Sequence, residues 1–238
     1  MLLISSALLF LAFSNNQGFS DNADKEDTAE QVLSGYEEIC KLGKKVEDFP
    51  FYVYEDAGST NNHFAPTGHM GDYTDLGINP FYKQNPHLGT SCIKITYSAK
   101  KSRGQKWAGL YWQDPSNNWG ESFGGYDLSA ATKLTFWARG EKGGEVITLF
   151  QIGGIVGKYR DSGSKAIGPV SLTNKWKKYT IDLKDLKQTM LLNCKQIGCC
   201  LFMQPLTRII GGFCWSTNIE VNRGGIVFYL DEIRYEKD

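Results

Sequence analysis

From residue 51 onward the chain is a series of short runs in which apolar and polar residues alternate, separated by Gly, Asn, Asp and Pro. In the run from Leu134 to Arg139, for example, leucine, phenylalanine and alanine occupy every second position. A period of two is that of a half-buried β-strand, and the separators are turn signals. Because few helical segments stand between the runs, an all-β sandwich or jelly roll is predicted rather than a parallel sheet. The predicted strands are Phe51–Glu55, Ser91–Ser98, Trp107–Gln113, Lys133–Arg139, Val146–Ile152, Lys177–Asp182, Arg208–Trp215 and Ile226–Tyr235.

Length and charge narrow the class of partner. The 238 residues fit one large domain, since nothing in the middle of the chain reads as a linker. Lys plus Arg and Asp plus Glu are 26 each, so the net charge gives no electrostatic footprint for nucleic acid or for an anionic membrane surface. A neutral partner fits better, and no nucleic-acid binding is expected.

The N-terminus carries an apolar run, Leu2–Phe13, that is too short to cross a bilayer as a helix. A small-x-small cleavage pattern ends at Ser14, so residues 1–14 are predicted to be a signal peptide, although no Lys or Arg precedes the run. The alternative is a buried N-terminal helix or strand. Export predicts a secreted, periplasmic or cell-surface protein with no membrane span after cleavage.

Residues 15–48 are predicted to be a polar leader with one short helix, and residues 49–238 the β-sandwich domain. The apolar face of that helix would carry Val32, Leu33, Tyr36, Ile39 and Cys40.

Two segments interrupt the strand pattern. Ala57–Thr90 is a long predicted loop, and long loops in compact domains are usually functional or ordered by an ion. Lys187–Pro205 carries three cysteines, and it is interpreted either as a disulfide-tied surface loop or as an artefact of the gene model.

Six cysteines in an exported chain allow disulfides, but their connectivity does not follow from the sequence. A zinc site is a weaker hypothesis than disulfides, because the spacing of Cys194, Cys199 and Cys200 lacks a second ligand pair. Cys92 and Cys214 lie in strand-like runs, where a buried free thiol is expected.

Three phrases, Tyr126–Gly140, Trp176–Leu183 and Phe228–Ile233, stand in an order that resembles the galactose-binding-like jelly rolls. These include carbohydrate-binding modules of the family 11 sort and uncharacterised exported bacterial relatives. The resemblance covers most of residues 51–235 and implies a jelly-roll β-sandwich. It is less specific for a ligand, since this fold hosts glycan binders, adhesion and assembly modules, and some enzymes.

A sugar-binding face needs flat rings for the apolar faces of a pyranose and planar polar groups for its hydroxyls. Both are dense between Trp107 and Trp119, and Trp137, Arg139 and loop residues could complete a platform on the same sheet. For each aromatic residue the alternative is a place in the sandwich core. The predicted ligand-binding residues are Trp107, Tyr111, Gln113, Trp119, Trp137, Arg139 and Arg160.

A structural calcium is a second hypothesis. Glu55 and Asp56 end the first predicted strand and Asp231 lies in the last, so hard oxygen ligands from both chain ends could hold Ca²⁺. The resemblance supports it, because such jelly rolls commonly carry calcium with an Asp in the final strand. Solvated strand-end carboxylates are the alternative.

Catalysis and protein assembly remain open alternatives. A glycoside hydrolase or polysaccharide lyase would draw on side chains of unknown mutual spacing, and no catalytic sequence motif occurs. No catalytic residue is therefore assigned. The prediction is an exported, non-catalytic, monomeric module for a neutral polysaccharide. The catalytic candidates considered are His63, His69, His87, Asp72, Asp75, Glu121 and Asp161.

Overall fold

A computed structural model of the protein describes residues 41–186 and 204–238, and these residues form two stacked antiparallel sheets. The five-stranded sheet has the order β11-β10-β14-β6-β3, and the six-stranded sheet has β13-β8-β15-β5-β4 with β2 also paired to β15. Two short pairs, β1 with β7 and β9 with β12, lie beside them. The strands are β1 (Lys44–Lys45), β2 (Phe51–Tyr54), β3 (Ala65–Gly71), β4 (Leu76–Tyr82), β5 (Cys92–Tyr97), β6 (Trp107–Gln113), β7 (Tyr126–Asp127), β8 (Lys133–Gly140), β9 (Val146–Ile147), β10 (Leu149–Gly153), β11 (Ser164–Ile167), β12 (Val170–Ser171), β13 (Lys177–Asp182), β14 (Gly211–Asn218) and β15 (Ile226–Glu236).

Aromatic side chains fill the space between the sheets. Phe136 of β8 reaches across to Phe150 of β10 and Phe213 of β14, with ring centroids 4.7 and 5.1 Å apart. Trp215 of β14 meets Phe228 of β15 edge to face at 4.9 Å. All five rings are fully buried, and aromatic pairs in these geometries stabilise beyond the area they bury. The two inner faces therefore form one continuous core.

The jelly-roll prediction is confirmed, and the strand over Trp107–Gln113 has the predicted bounds. The strands predicted at Lys133, Lys177 and Ile226 begin where expected. Cys92 and Cys214 are free and buried, as the pattern indicated.

The prediction of a structureless loop over Ala57–Thr90 is wrong. It contains two strands, β3 and β4, joined by a 3-10 turn at Tyr73–Asp75. Both are edge strands with a register shift, β3 near Pro66 and β4 between Asn79 and Tyr82. Proline is tolerated at edges and bulges because it has no N–H to donate, and its presence hides the strand pattern.

Two boundaries also differ. The run Val146–Ile152 is split into β9 and β10, which pair with different strands. Lys44–Lys45 of the predicted leader pairs with β7, and Val46 joins the core, so the folded part begins before residue 49.

The predicted signal peptide, the helix over Val32–Cys40 and nearly all of the Lys187–Pro205 insertion lie outside the described residues. The same holds for the cysteines Cys40, Cys194, Cys199 and Cys200. In the ranges that the structure describes, no helix is long and apolar enough to cross a membrane.

Candidate functional site

The outer face of the five-stranded sheet presents exposed aromatic side chains together with polar groups. Along β6 the alternation directs Trp107, Gly109 and Tyr111 outward, away from the core. Gly109 lies opposite Ser216 of β14 and Met70 of β3. A Cβ on Gly109 would lie 2.6 Å from the Trp215 carbonyl oxygen and 2.8 Å from the Met70 methyl carbon, so only glycine lets the Met70 side chain lie over the strand at this point.

Trp107 stands at one end of this face with 37% of its surface exposed. A groove beside it is lined by hydroxyl, amide and charged side chains around the indole. One side of the ring is backed by Gly71, where a Cβ would lie 3.0 Å from the indole. The groove thus combines a flat apolar surface with hydrogen-bonding groups. Its side chains are Gln105, Lys106, Trp107, Thr148, Ser216, Thr217, Asn218 and Glu220.

Trp119 stands at the other end, on the loop after β6, with 36% of its surface exposed. Its ring meets Tyr111 edge to face at 5.9 Å. The Asn118 side chain holds the loop, because its carbonyl accepts from the N–H groups of Gly120 and Ser122. Tyrosine and asparagine therefore fix the position of an exposed indole without covering it.

Two predicted ligand-binding residues on this face are buried supports, which corrects their assignment. The Tyr111 hydroxyl donates to the Gly153 carbonyl at 3.0 Å and accepts from the Gln151 amide at 2.9 Å. Gln113 is 1% exposed, and its amide donates to the Asn118 carbonyl at 2.9 Å. The loops after β6 and β10 cover both side chains. Strand alternation predicts that a side chain leaves the core, but it does not predict that a loop covers it.

Trp137 and Arg139 do not share this face, which is a second correction. Both point outward from β8, but β8 belongs to the six-stranded sheet on the other side of the core. Alternation shows that a side chain leaves the core, and it does not show which of the two sheets carries the strand. Arg160 has an exposed side chain in the loop whose Tyr159 N–H donates to Gly120, next to Trp119.

Sequence reasoning missed the groove residues on β14, Ser216 and Asn218, and Thr148 before β10. The alternation of β14 directs Ser216 and Asn218 outward. The predicted strand Arg208–Trp215 ends before both residues, so the prediction does not include them.

The catalytic candidates are dispersed. His63 stacks on Phe51 at 4.0 Å, His69 is exposed on the edge strand β3, and His87 stacks on Trp137 at 3.7 Å on the opposite sheet. Asp72 accepts three backbone N–H groups from the loop after β5. The described residues bring no histidine and carboxylate of this set together in the Trp107–Trp119 face.

The comparisons with known proteins concern the fold. No protein-family model and no curated protein matches the sequence. A family 30 carbohydrate-binding module of known structure superposes with a TM-score of 0.51 at 15% identity, over 80% of this chain and 89% of that one. The fold is the jelly roll of carbohydrate-binding modules.

Two further structures lie at lower similarity to this jelly roll. The family 30 module of a cellulosomal cellulase of Clostridium thermocellum gives a TM-score of 0.49 at 14% identity, covering 80% of this chain and 99% of that one. The family 11 module of another cellulosomal cellulase of that organism gives 0.45 at 12% identity, covering 77% and 92%. At these identities the likeness concerns architecture alone.

The predicted calcium ligands of the jelly roll divide into two places. Asp231 is fully buried, and its oxygens accept the backbone N–H groups of His87, Leu88 and Glu232. These three donors take up much of the Asp231 carboxylate, and the Asp56 carboxylate is likewise bonded, by Ala57, Thr90 and Ser91. Glu55 and Asp56 instead share a cleft with Glu232, the neighbour of Asp231.

That cleft holds three acidic side chains. Burial raises the pKa of Glu232, and the carboxylates of Glu55 and Asp56 raise it further while Arg234 opposes them. In residues 41–186 and 204–238 no three His, Cys, Asp or Glu side chains lie close enough to form a metal centre. A bound cation would therefore have to draw these carboxylates together.

Asp161 ties two segments of the jelly roll together. Its carboxylate accepts the N–H groups of Ile155 and Ile210 at 2.9 and 2.5 Å and so ties the loop after β10 to the start of β14. Burial raises its pKa to about 6 although these N–H groups and Arg208 favour the charged form.

We expect the stabilising effect of wild-type Asp161 relative to an Asp161→Asn variant to shrink as pH rises. A folded-state pKa near 6, above the ordinary value near 3.9, means that the native state holds the proton more tightly. This contribution is present at low pH and is lost as pH rises through 6. Urea unfolding at about pH 5 and about pH 8 should show the difference in unfolding free energy falling by about 1 kcal/mol. A constant difference would contradict the burial argument.

Proposed function

We propose that the protein is a non-catalytic carbohydrate-binding module that holds a neutral polysaccharide across the outer face of the five-stranded sheet. The observation that carries this is the placement of two exposed indoles, Trp107 and Trp119, at opposite ends of one sheet face. Flat aromatic rings bind the apolar faces of sugars, and the polar groups beside Trp107 can bind hydroxyls. The carbohydrate-binding-module fold supports the proposal.

The length of the face favours a chain over a single sugar. Trp107 and Tyr111, against which Trp119 packs, are four residues apart on β6, about 13 Å at the rise of an extended strand. Between them the floor is formed by Gly109 and by the Met70 side chain that lies over it, with Ser216 beside them. An extended polysaccharide can lie along this floor and stack on both rings.

The charge of the face favours a neutral ligand. The groove beside Trp107 contains one cation, Lys106, and one anion, Glu220, so these charges cancel. The whole chain is likewise balanced. In this proposal the protein is exported and acts as a monomer outside the cell or at its surface.

The test is binding of the full chain to a panel of soluble neutral β-glucans, mannans and xylans, measured by affinity electrophoresis and calorimetry. We expect saturable binding to at least one polymer and no release of reducing ends. Failure to bind any of them would refute the proposal. Release of reducing ends would favour a jelly-roll hydrolase or lyase instead.

A structural calcium is a separate proposal, and it differs from the predicted ligand set of Glu55, Asp56 and Asp231 in that Glu232 lies in the cleft with Glu55 and Asp56. Hard oxygen ligands suit Ca²⁺, and the mutual repulsion of these carboxylates would be relieved by a cation. The same preparation should melt at a lower temperature in EDTA and recover when calcium, but not magnesium, is restored. An unchanged melting temperature would contradict this proposal and leave the polysaccharide proposal standing.

A further inference from the structure

The outer face of the six-stranded sheet carries an alternating row of aromatic rings and cations. The Arg139 guanidinium lies 3.7 Å from the Tyr229 ring centroid and 5.3 Å from that of Trp176. The Lys94 ammonium lies 5.9 Å from the Tyr229 centroid and 4.9 Å from that of Tyr82. We call Trp176, Arg139, Tyr229, Lys94 and Tyr82 the cation–aromatic row. It lies on the far side of the core from Trp107 and Trp119.

The sheet register explains why these side chains meet. Tyr229 of β15 lies directly opposite Arg139 of β8 on one side and Lys94 of β5 on the other. Three neighbouring strands thus bring two cations to either side of one ring. Side chains opposite each other on one sheet face are close enough to interact.

Neither cation of the row is paired with an acid. Among the described residues, Arg139 and Lys94 have no carboxylate oxygen within 4.0 Å, unlike the ion-paired Lys133 and Arg234 of the same sheet. Arg139 is 8% exposed, and its buried Nε has no hydrogen-bond partner. A buried, incompletely bonded charge costs stability, so its presence needs another reason.

The acids around the row do not cancel it. Glu141 accepts a hydrogen bond from the hydroxyl of Tyr229, the central ring of the row, at 2.6 Å. Asp231 lies under the loop before β5 and accepts backbone N–H groups. Two cations therefore face one exposed carboxylate.

A ligand would touch the members of the row that solvent can reach. Trp176, Lys94 and Tyr82 are half-buried, while Arg139 and Tyr229 form the floor beneath them. A ligand would meet a ring, a positive charge and a second ring in succession. A uronic acid has an apolar ring face with a carboxylate at its edge, which matches this succession.

We propose that the cation–aromatic row is a second binding site, for the acidic sugar units of a uronate-containing polysaccharide. The Lys94 ammonium would contact the carboxylate, the Arg139 guanidinium would add to the positive potential, and Trp176 and Tyr82 would pack on the sugar rings. The site goes beyond the proposed function, since it is separate from the Trp107–Trp119 face and takes acidic rather than neutral sugars.

The experiment measures binding of the full chain to polygalacturonate, with poly-glutamate as a second anionic polymer. We expect binding to polygalacturonate that weakens as salt is raised, and clearly weaker binding to poly-glutamate. Lys94→Gln should weaken polygalacturonate binding roughly tenfold, whereas Lys100→Gln, an exposed change of equal charge, should leave it unchanged. Trp176→Ala provides a second, uncharged test and should also weaken binding.

Three outcomes would overturn the proposal: no binding to polygalacturonate at low salt, equal binding to both polymers, or an affinity that Lys94→Gln does not change. Equal binding would mean that charge alone is recognised, as in an acidic-protein site. A Trp107→Ala, Trp119→Ala variant separates the two faces, because it should lose neutral polysaccharide and retain polygalacturonate.

Discussion

Replacing Trp107 and Trp119 together by alanine is expected to abolish measurable binding of the neutral polysaccharide. Truncating a tryptophan at the centre of a contact commonly costs about 2 kcal/mol, which is roughly a 30-fold loss of affinity. The two indoles stand at opposite ends of β6 and share no ring contact, so their effects should be close to additive. The single variants should each retain weakened binding, measured by calorimetry.

The matched control for this experiment is Trp137→Ala, which removes an indole from the opposite sheet. Its ring is covered by His87, and the change should leave neutral polysaccharide binding unaltered in the folded variant. Circular dichroism and melting curves establish that each variant is folded. If Trp137→Ala weakens binding as much as Trp107→Ala does, the ligand lies on the six-stranded sheet and the proposed face is wrong.

Asp231→Ala is expected to lower the free energy of unfolding by about 3 kcal/mol or more. Its carboxylate accepts three backbone N–H groups, two of them from the loop at His87 and Leu88 that crosses the six-stranded sheet. Each buried donor left without an acceptor costs about 1 to 3 kcal/mol. Burial raises the pKa of Asp231 to about 7. Part of the stabilisation from the three hydrogen bonds is therefore offset by the cost of burying the charge.

Urea unfolding in the presence of EDTA measures this effect without a contribution from bound metal. Asp48→Ala removes an exposed carboxylate and should change the unfolding free energy by less than about 0.5 kcal/mol. A loss of under about 1 kcal/mol for Asp231→Ala would show that water or a neighbouring group replaces the carboxylate as acceptor.

Local alternation is sufficient to predict most strands of the core and the side of β6 on which Trp107 lies, whereas the exposure of Trp119, on the loop after β6, does not follow from it. It located β6 to the residue, because Trp107–Gln113 has a clear apolar phase and is bounded by Lys106 and Asp114. It failed for β3, where Pro66 and Gly68 sit at a bulge on the sheet edge. Edge strands need fewer apolar residues and carry less signal.

The candidate site was harder to predict than the fold, since it depends on which strands become neighbours. Alternation along β8 correctly predicts that Arg139 points outward, but its partners Tyr229 and Lys94 lie on strands far away in sequence. The same alternation along β6 predicts that Gln113 contacts a ligand, but the loop that follows β6 buries its side chain. The alternation along a strand is set by neighbouring residues in the sequence. Which sheet a strand joins, and which loop covers it, depend on tertiary structure.

The position of β15 has a consequence for how this chain reaches its native state. Ile226–Glu236 pairs with β2, β5 and β8, so the last strand occupies the middle of its sheet. Phe51 finds its partner Tyr235 only when nearly the whole domain has been synthesised. A sheet completed by such distant pairings closes slowly, on the order of milliseconds to seconds. An emerging chain therefore lacks the centre of one layer until residue 236, and removing this strand would leave β8 and β5 as two unjoined edges.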